Sequence, residues 1–130
     1  MRKGLVVLIA VLALGLAFTP ATWAAPKTIK IGLNVPITGD IPKVGEGSKY
    51  AAEMWLDDIN KAGGLDVGGV KYKVEVVVED NESKPESAVK AATKLITQDE
   101  ILAMVGPQAS SQAIPAGEIA NNYSTPMIRS

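Results

Sequence analysis

The sequence predicts an α/β protein, a parallel sheet with helices on both faces, in the order β-α-β-α-β-α-β. Three observations predict it. Short β-branched runs alternate with longer stretches whose apolar residues recur every three or four positions. The run Ile101-Leu102-Ala103-Met104-Val105 is wholly apolar, as a central parallel strand is. Gly63-Gly64 and Gly68-Gly69 punctuate the chain where a helix stops and a strand begins.

The segment ahead of the first strand has a different character. Met1-Arg2-Lys3 is followed by an uncharged stretch from Leu5 to Phe18, then Thr19-Pro20-Ala21-Thr22-Trp23-Ala24. A basic end, a short apolar run and small residues after a proline make a secretory signal peptide. Cleavage is expected after Ala24, with Thr22 and Ala24 as the small residues read by the peptidase. The exported product is expected to be residues 25–130.

The first strand, Ile29 to Val35, ends at Pro36, and Thr38-Gly39-Asp40 supplies loop chemistry. A helix over 44–62 places Ala51, Ala52, Met54, Trp55, Ile59 and Ala62 on one stripe, predicted to be buried. In the next strand Val70, Tyr72, Val74, Val76 and Val78 alternate with Lys71, Lys73, Glu75 and Glu79, Val77 being the exception. Such alternation predicts a sheet edge, where lysines discourage unwanted pairing. Ser83-Lys84-Pro85-Glu86 has capping-box spacing, and Ala88, Val89, Ala92, Leu95 and Ile96 form the stripe of the helix it opens. After the strand at 101–105, a helix from about Ser111 to Tyr123 has Ala113, Ile114, Ala116, Ala120 and Tyr123 as expected core contacts. Pro115 is placed in its first turn. Thr125-Pro126-Met127-Ile128 begins a fourth strand.

Composition removes several function classes. The 130 residues contain 13 basic and 14 acidic side chains, and loss of Arg2 and Lys3 leaves a mildly acidic product. That balance offers no basic stripe for nucleic acid and no lysine-rich amphipathic helix for a membrane surface. With no cysteine there is no disulfide, and no cysteine at the cleavage site to carry a lipid. With no histidine there is no Ser-His-Asp or Cys-His nucleophile arrangement, and the commonest metal ligand is missing. The expectation is a non-enzymatic protein without cofactor or metal. Gly45-Glu46-Gly47 is no dinucleotide fingerprint, because Tyr50 stands where the third glycine belongs. Glu79, Asp80 and Glu82 lie outside any calcium-loop pattern and are expected to solvate a strand end and turn.

Ligands of open α/β sheets bind beyond the carboxyl ends of the strands. Of the segments that reach that rim, "GPQASSQAIPA" is the most suggestive, because its helix begins with unpaired N–H groups and two serines. Ser110 and Ser111 can cap the helix or hold an anion, and local chemistry leaves both roles open.

Five phrases in order, "IKIGLNVPITGD", "DINKAGGLDVGGVKYKVEVVVEDNES", "KPESAVKAATKLI", "ILAMVGPQASSQAIPAGEIA" and "TPMI", carry a resemblance. The chain resembles the periplasmic substrate-binding proteins of ABC transporters for branched-chain amino acids, the leucine/isoleucine/valine-binding type. The resemblance implies a type I periplasmic binding protein, whose two α/β lobes close on a ligand between them. Residues 25–130 would be the N-terminal part of the first lobe, a truncated lobe lacking the rest of the clamp. In that family the segment after the third strand grips the ligand's α-carboxylate. The matching position is Ser110, through its hydroxyl and backbone N–H, with Ser111 beside it. An aromatic residue often meets the ligand's side chain before the first helix, and the matching Val44 leaves more room. The implied partners are a small-molecule amino acid and the membrane permease subunits of an ABC importer. Competing functions are a ligand-sensing receptor domain of the same fold, a secreted hydrolase, which the missing histidine disfavours, and a truncated lobe without transport function.

Overall fold

The computed structural model describes residues 27–129. The expected signal peptide and its cleavage site at Ala24 lie outside the described residues. Among the described residues, eight elements follow one another: β1 (Thr28–Val35), α1 (Pro42–Lys61), β2 (Leu65–Val67), β3 (Val70–Asp80), α2 (Pro85–Thr97), β4 (Ala103–Val105), α3 (Ser110–Asn122) and β5 (Met127–Ile128). The sheet order is β2-β3-β1-β4-β5. The central strand β1 pairs in parallel with β3 from Thr28↔Lys73 to Val35↔Asp80, and with β4 from Ile31↔Ala103 to Leu33↔Val105. β4 and β5 are also parallel, whereas β2 is antiparallel to β3.

Side chains alternate between the faces of a sheet, so the register assigns each residue a side. Gly32, Met104 and Met127 are in register and share the face against α2 and α3. Their neighbours Leu33, Val105 and Ile128 share the opposite face, with α1. The main core lies on the first of these faces. Leu95, Met104, Ala88, Ala92, Ala116 and Ala120 are buried together there, and alanines let α2 and α3 approach closely. Burying a leucine such as Leu95 completely is worth about 1.5–3 kcal/mol. Gly32 is small because a methyl group there would lie 2.6 Å from Ile101 Cδ1. Val77, the break in the alternation of β3, packs against this cluster and so has its reason.

The structure corrects several expectations of detail. The 70–79 strand is not outermost: β2, unforeseen, forms a hairpin with it through Gly68-Gly69, both at positive φ. β2 covers only Val70–Tyr72, however, leaving Lys73–Asp80 with β1 alone as partner. The α1 stripe is not buried, with Met54 71% exposed and Trp55 43% exposed; the one buried residue of the helix is Gly45. Ile114 and Tyr123 of α3 are also exposed. Pro115 is the sixth residue of α3, past its first turn, and removes the i+4 donor for the Ser111 carbonyl. Ser83 does not cap α2, whose N-cap is Lys84 with no side-chain bond; Pro85 opens the helix as expected.

Between α1 and the sheet runs an apolar groove of about 440 Å³. Ile31, Leu33, Val76 and Ile128 form its floor, and Ala52 and Trp55 of α1 its wall, with Ser48 also lining it.

Candidate functional site

Three segments meet at the carboxyl rim of the sheet: 36–41 after β1, 81–84 after β3, and 106–109 after β4. The first two are tied to each other by side-chain hydrogen bonds, and the third is tied to α1. The first two are joined through Asp80, at the end of β3. Its Oδ1 accepts from the N–H groups of Ile37 (2.9 Å), Thr38 (3.1 Å) and Glu82 (2.8 Å), and its Oδ2 accepts from the Thr38 hydroxyl (2.6 Å). Partial burial pushes the Asp80 carboxyl up. The Thr38 hydroxyl and the N–H groups of Glu82, Thr38 and Ile37 more than offset this, and hold it below the ordinary carboxylate value. Ser83, expected as a helix cap, instead donates its hydroxyl to the Thr38 carbonyl (3.0 Å) and accepts from the Ile41 N–H (3.3 Å). The loops lie so close that a methyl group on Gly39, at φ +90°, would fall 2.2 Å from the Glu82 carbonyl oxygen.

Beneath this junction Asn34 and Asn81 are fully buried and hydrogen-bonded to each other. Asn81 Nδ2 donates to Asn34 Oδ1 (3.1 Å), Asn34 Nδ2 donates to the Ala88 carbonyl (2.9 Å), and Asn81 Oδ1 accepts from the Ser83 N–H (3.1 Å). The pair anchors the ends of β1 and β3 to the first turn of α2, and burial at such a site is tolerable only because each amide is bonded. The acids expected only to solvate this region have specific partners: Glu82 accepts from the Ser87 hydroxyl (2.5 Å), and Glu79 pairs with Lys94.

The third segment starts at a cis Gly106–Pro107 bond. It reaches α1 through Gln108, whose Nε2 donates to the Ser48 hydroxyl at 2.7 Å. Ser48 in turn donates to the Val44 carbonyl at 3.0 Å. The sequence-predicted residues therefore belong to two segments that one side-chain bridge joins. Val44 sits in the first turn of α1, 44% exposed. Ser110 and Ser111 are the first two residues of α3, both exposed.

The capping role left open for the serines is not the one observed. The N-cap is Ala109, without a side-chain bond, and neither serine hydroxyl has a hydrogen-bond partner among the described residues. The helical ladder starts with the N–H groups of Gln112 and Ala113, which both donate to the Ala109 carbonyl. The amides of Ser110 and Ser111 thus stand at the positive end of a helix with two free hydroxyls beside them, a donor set suited to a carboxylate. Among the described residues no group of three or more Asp or Glu side chains is placed to hold a metal ion. Sequence reasoning missed Ser48, Gln108 and the organising role of Asp80. No local pattern signals a contact such as Ser48–Gln108, made across 60 residues.

Comparison with known proteins identifies the family. The profile of the periplasmic binding proteins matches residues 28–130. The Leu/Ile/Val-binding protein BraC3 of Rhizobium johnstonii is 37% identical over 112 residues, 86% of this chain and 28% of the relative. A leucine-, isoleucine-, valine-, threonine- and alanine-binding protein of Pseudomonas aeruginosa is 36% identical over 104 residues, 80% of this chain and 26% of the relative. Among solved structures, the branched-chain amino acid transporter substrate-binding protein LivJ of Streptococcus pneumoniae, in complex with isoleucine, superposes with a TM-score of 0.73 at 37% identity. That match covers 79% of this chain and 28% of the other. A solute-binding protein of an ABC transporter from Rhodopseudomonas palustris, in complex with 3,4-dihydroxybenzoic acid, gives 0.67 at 29% identity, covering 78% and 26%. The chain thus spans a little over a quarter of the length of these relatives. Among its described residues no helix is long and apolar enough to cross a membrane. The profile match over residues 28–130, joined by a superposition that covers most of the chain, makes this chain a member of the periplasmic binding protein family.

Proposed function

We propose that residues 25–130 form the N-terminal part of the first lobe of an extracytoplasmic solute-binding protein. It captures a branched-chain amino acid, or a related small carboxylate, for an ABC importer and presents it to the membrane permease subunits. Its work is binding without catalysis, in the periplasm. The observation that carries this reading is the start of α3, where Ser110 and Ser111 offer hydroxyls and backbone amides without partners among the described residues. Two relatives support the choice of ligand class. The S. pneumoniae protein holds isoleucine and the R. palustris protein holds 3,4-dihydroxybenzoic acid, molecules that share a carboxylate and little else. A constant carboxylate anchor with a variable far end fits Ser110 and Ser111 as the anchor, and Val44 as a residue facing the variable end.

The test is a titration of the chain with leucine and with leucinamide, followed by backbone amide resonances. Leucine is expected to bind weakly and to move the Ser110 and Ser111 amides, leucinamide not to do so. Ser110→Ala should weaken leucine binding by about tenfold, the scale of a hydrogen bond to a charged group. Equal responses to leucine and leucinamide, or unchanged affinity in Ser110→Ala, would remove the carboxylate reading.

A further inference from the structure

We propose that Gln108 and Ser48 are positioning residues, a hydrogen-bonded pair that sets the spacing between the first turn of α1 and the start of α3. In doing so they set the room available to the ligand's side chain. The inference rests on the carboxylate reading of Ser110 and Ser111 and adds to it what governs the other end of the ligand.

The direction of the hydrogen bonds follows from their chemistry. The single hydroxyl proton of Ser48 is used on the Val44 carbonyl. Ser48 can then only accept from Gln108, which requires the amide nitrogen of Gln108 to face it, as it does at 2.7 Å. This orientation leaves Gln108 Oε1 buried and without a hydrogen-bond partner among the described residues. A buried carbonyl oxygen that forgoes a hydrogen bond is uncommon in native proteins and calls for an explanation. Holding the two segments at one separation supplies it: the relay runs from the rim loop two residues before Ser110, through Ser48, to the backbone of Val44. Gly45 adds a second constraint on the same turn, because its backbone lies against the Pro36 carbonyl, where a methyl group would fall 2.1 Å from the oxygen. α1 can therefore move little toward the sheet at this end, and the Gln108–Ser48 bond limits its movement along the rim. The anchor and the side-chain end thus have separate determinants, Ser110 for the first and the Gln108–Ser48 relay for the second.

Gln108→Glu tests the relay at nearly constant size. A carboxylate accepts but does not donate, so Glu at 108 draws the Ser48 hydroxyl proton away from Val44. In the ligand-free chain, Gln108→Glu and Ser48→Ala should each move the amide resonances of residues 44–48 and 109–111 together, and Ser48→Thr, which keeps the hydroxyl, should move them little. Shifts confined to the substituted residue's own segment would overturn the proposal, whatever the ligand. In titrations with leucine and alanine, Gln108→Glu should change the leucine-to-alanine affinity ratio by about tenfold, the discrimination that small changes in an apolar pocket produce. Ser110→Ala should weaken both ligands equally and leave that ratio alone. An unchanged ratio in both Gln108→Glu and Ser48→Ala, with Ser110→Ala still weakening binding, overturns the positioning role and spares the carboxylate reading. A silent Ser110→Ala overturns that reading instead, and the ligand-free resonances still decide whether the relay exists.

Discussion

The two faces of the sheet are covered in different ways. On one, α2 and α3 press against each other and the strands, and Leu95, Met104, Ala88, Ala92 and Ala116 have no measurable exposure. On the other, α1 stands over an apolar groove, with Met54 and Trp55 of its stripe open to solvent and Ile128 69% exposed on the sheet beneath. Both faces are built from strands with apolar side chains, and both carry a helix with apolar residues at helical spacing. The contrast shows that an apolar stripe becomes core only where a second element closes over it. α1 comes closest to the loop after β1 at its first turn, where Gly45 lies against the Pro36 carbonyl, while Met54 and Trp55 of its stripe stay exposed.

The largest expected effect falls on the closed face. Leu95→Ala should destabilise the chain by about 2–5 kcal/mol in a urea titration, since the packed helices leave little scope for a cavity to collapse. A loss below about 1 kcal/mol would place the two faces on a par, because only a loosely packed site relaxes so fully. An intermediate effect is expected at the first turn of α1. Alanine is the better helix former by about 1 kcal/mol, yet Gly45→Ala should destabilise by about 1–3 kcal/mol because its methyl group meets a backbone carbonyl. Stabilisation in the same titration would show that the first turn has room to give. The smallest effect belongs to the open stripe, where Met54→Ala should change stability by no more than about 0.5 kcal/mol. A larger loss would mean that Met54 is covered in solution.

Much of this was legible in the sequence. The order of strands and helices, Gly63-Gly64 as the end of α1 and Pro85 at the start of α2 all follow from local preferences that the tertiary structure reinforces. The misread elements are those in which a distant contact outweighs a local pattern. The α1 stripe has the right period, but burial depends on what lies opposite. Ser83 has the spacing of a cap, but the Thr38 carbonyl and the Ile41 amide, from a loop more than 40 residues away, take its hydroxyl. β2 is three residues long and too short to show a period. At the site the exposed serines were visible, because an unpaired helix start is itself a local feature. The Gln108–Ser48 bridge was not, since a lone glutamine and a lone serine in separate elements look like ordinary surface residues.

The Asp80 carboxylate would bear on the energetics of the binding proposed above. Fixing one backbone residue costs about 1–2 kcal/mol of conformational entropy. Asp80 settles that cost for Ile37, Thr38 and Glu82 during folding, through hydrogen bonds made without any ligand. A molecule binding at the rim would meet loops whose shape is already decided, and its contacts would count toward affinity without being consumed in ordering the chain. The depressed carboxyl lets this arrangement stay charged to lower pH than an ordinary aspartate would, so the shape of the rim does not depend on a ligand being present.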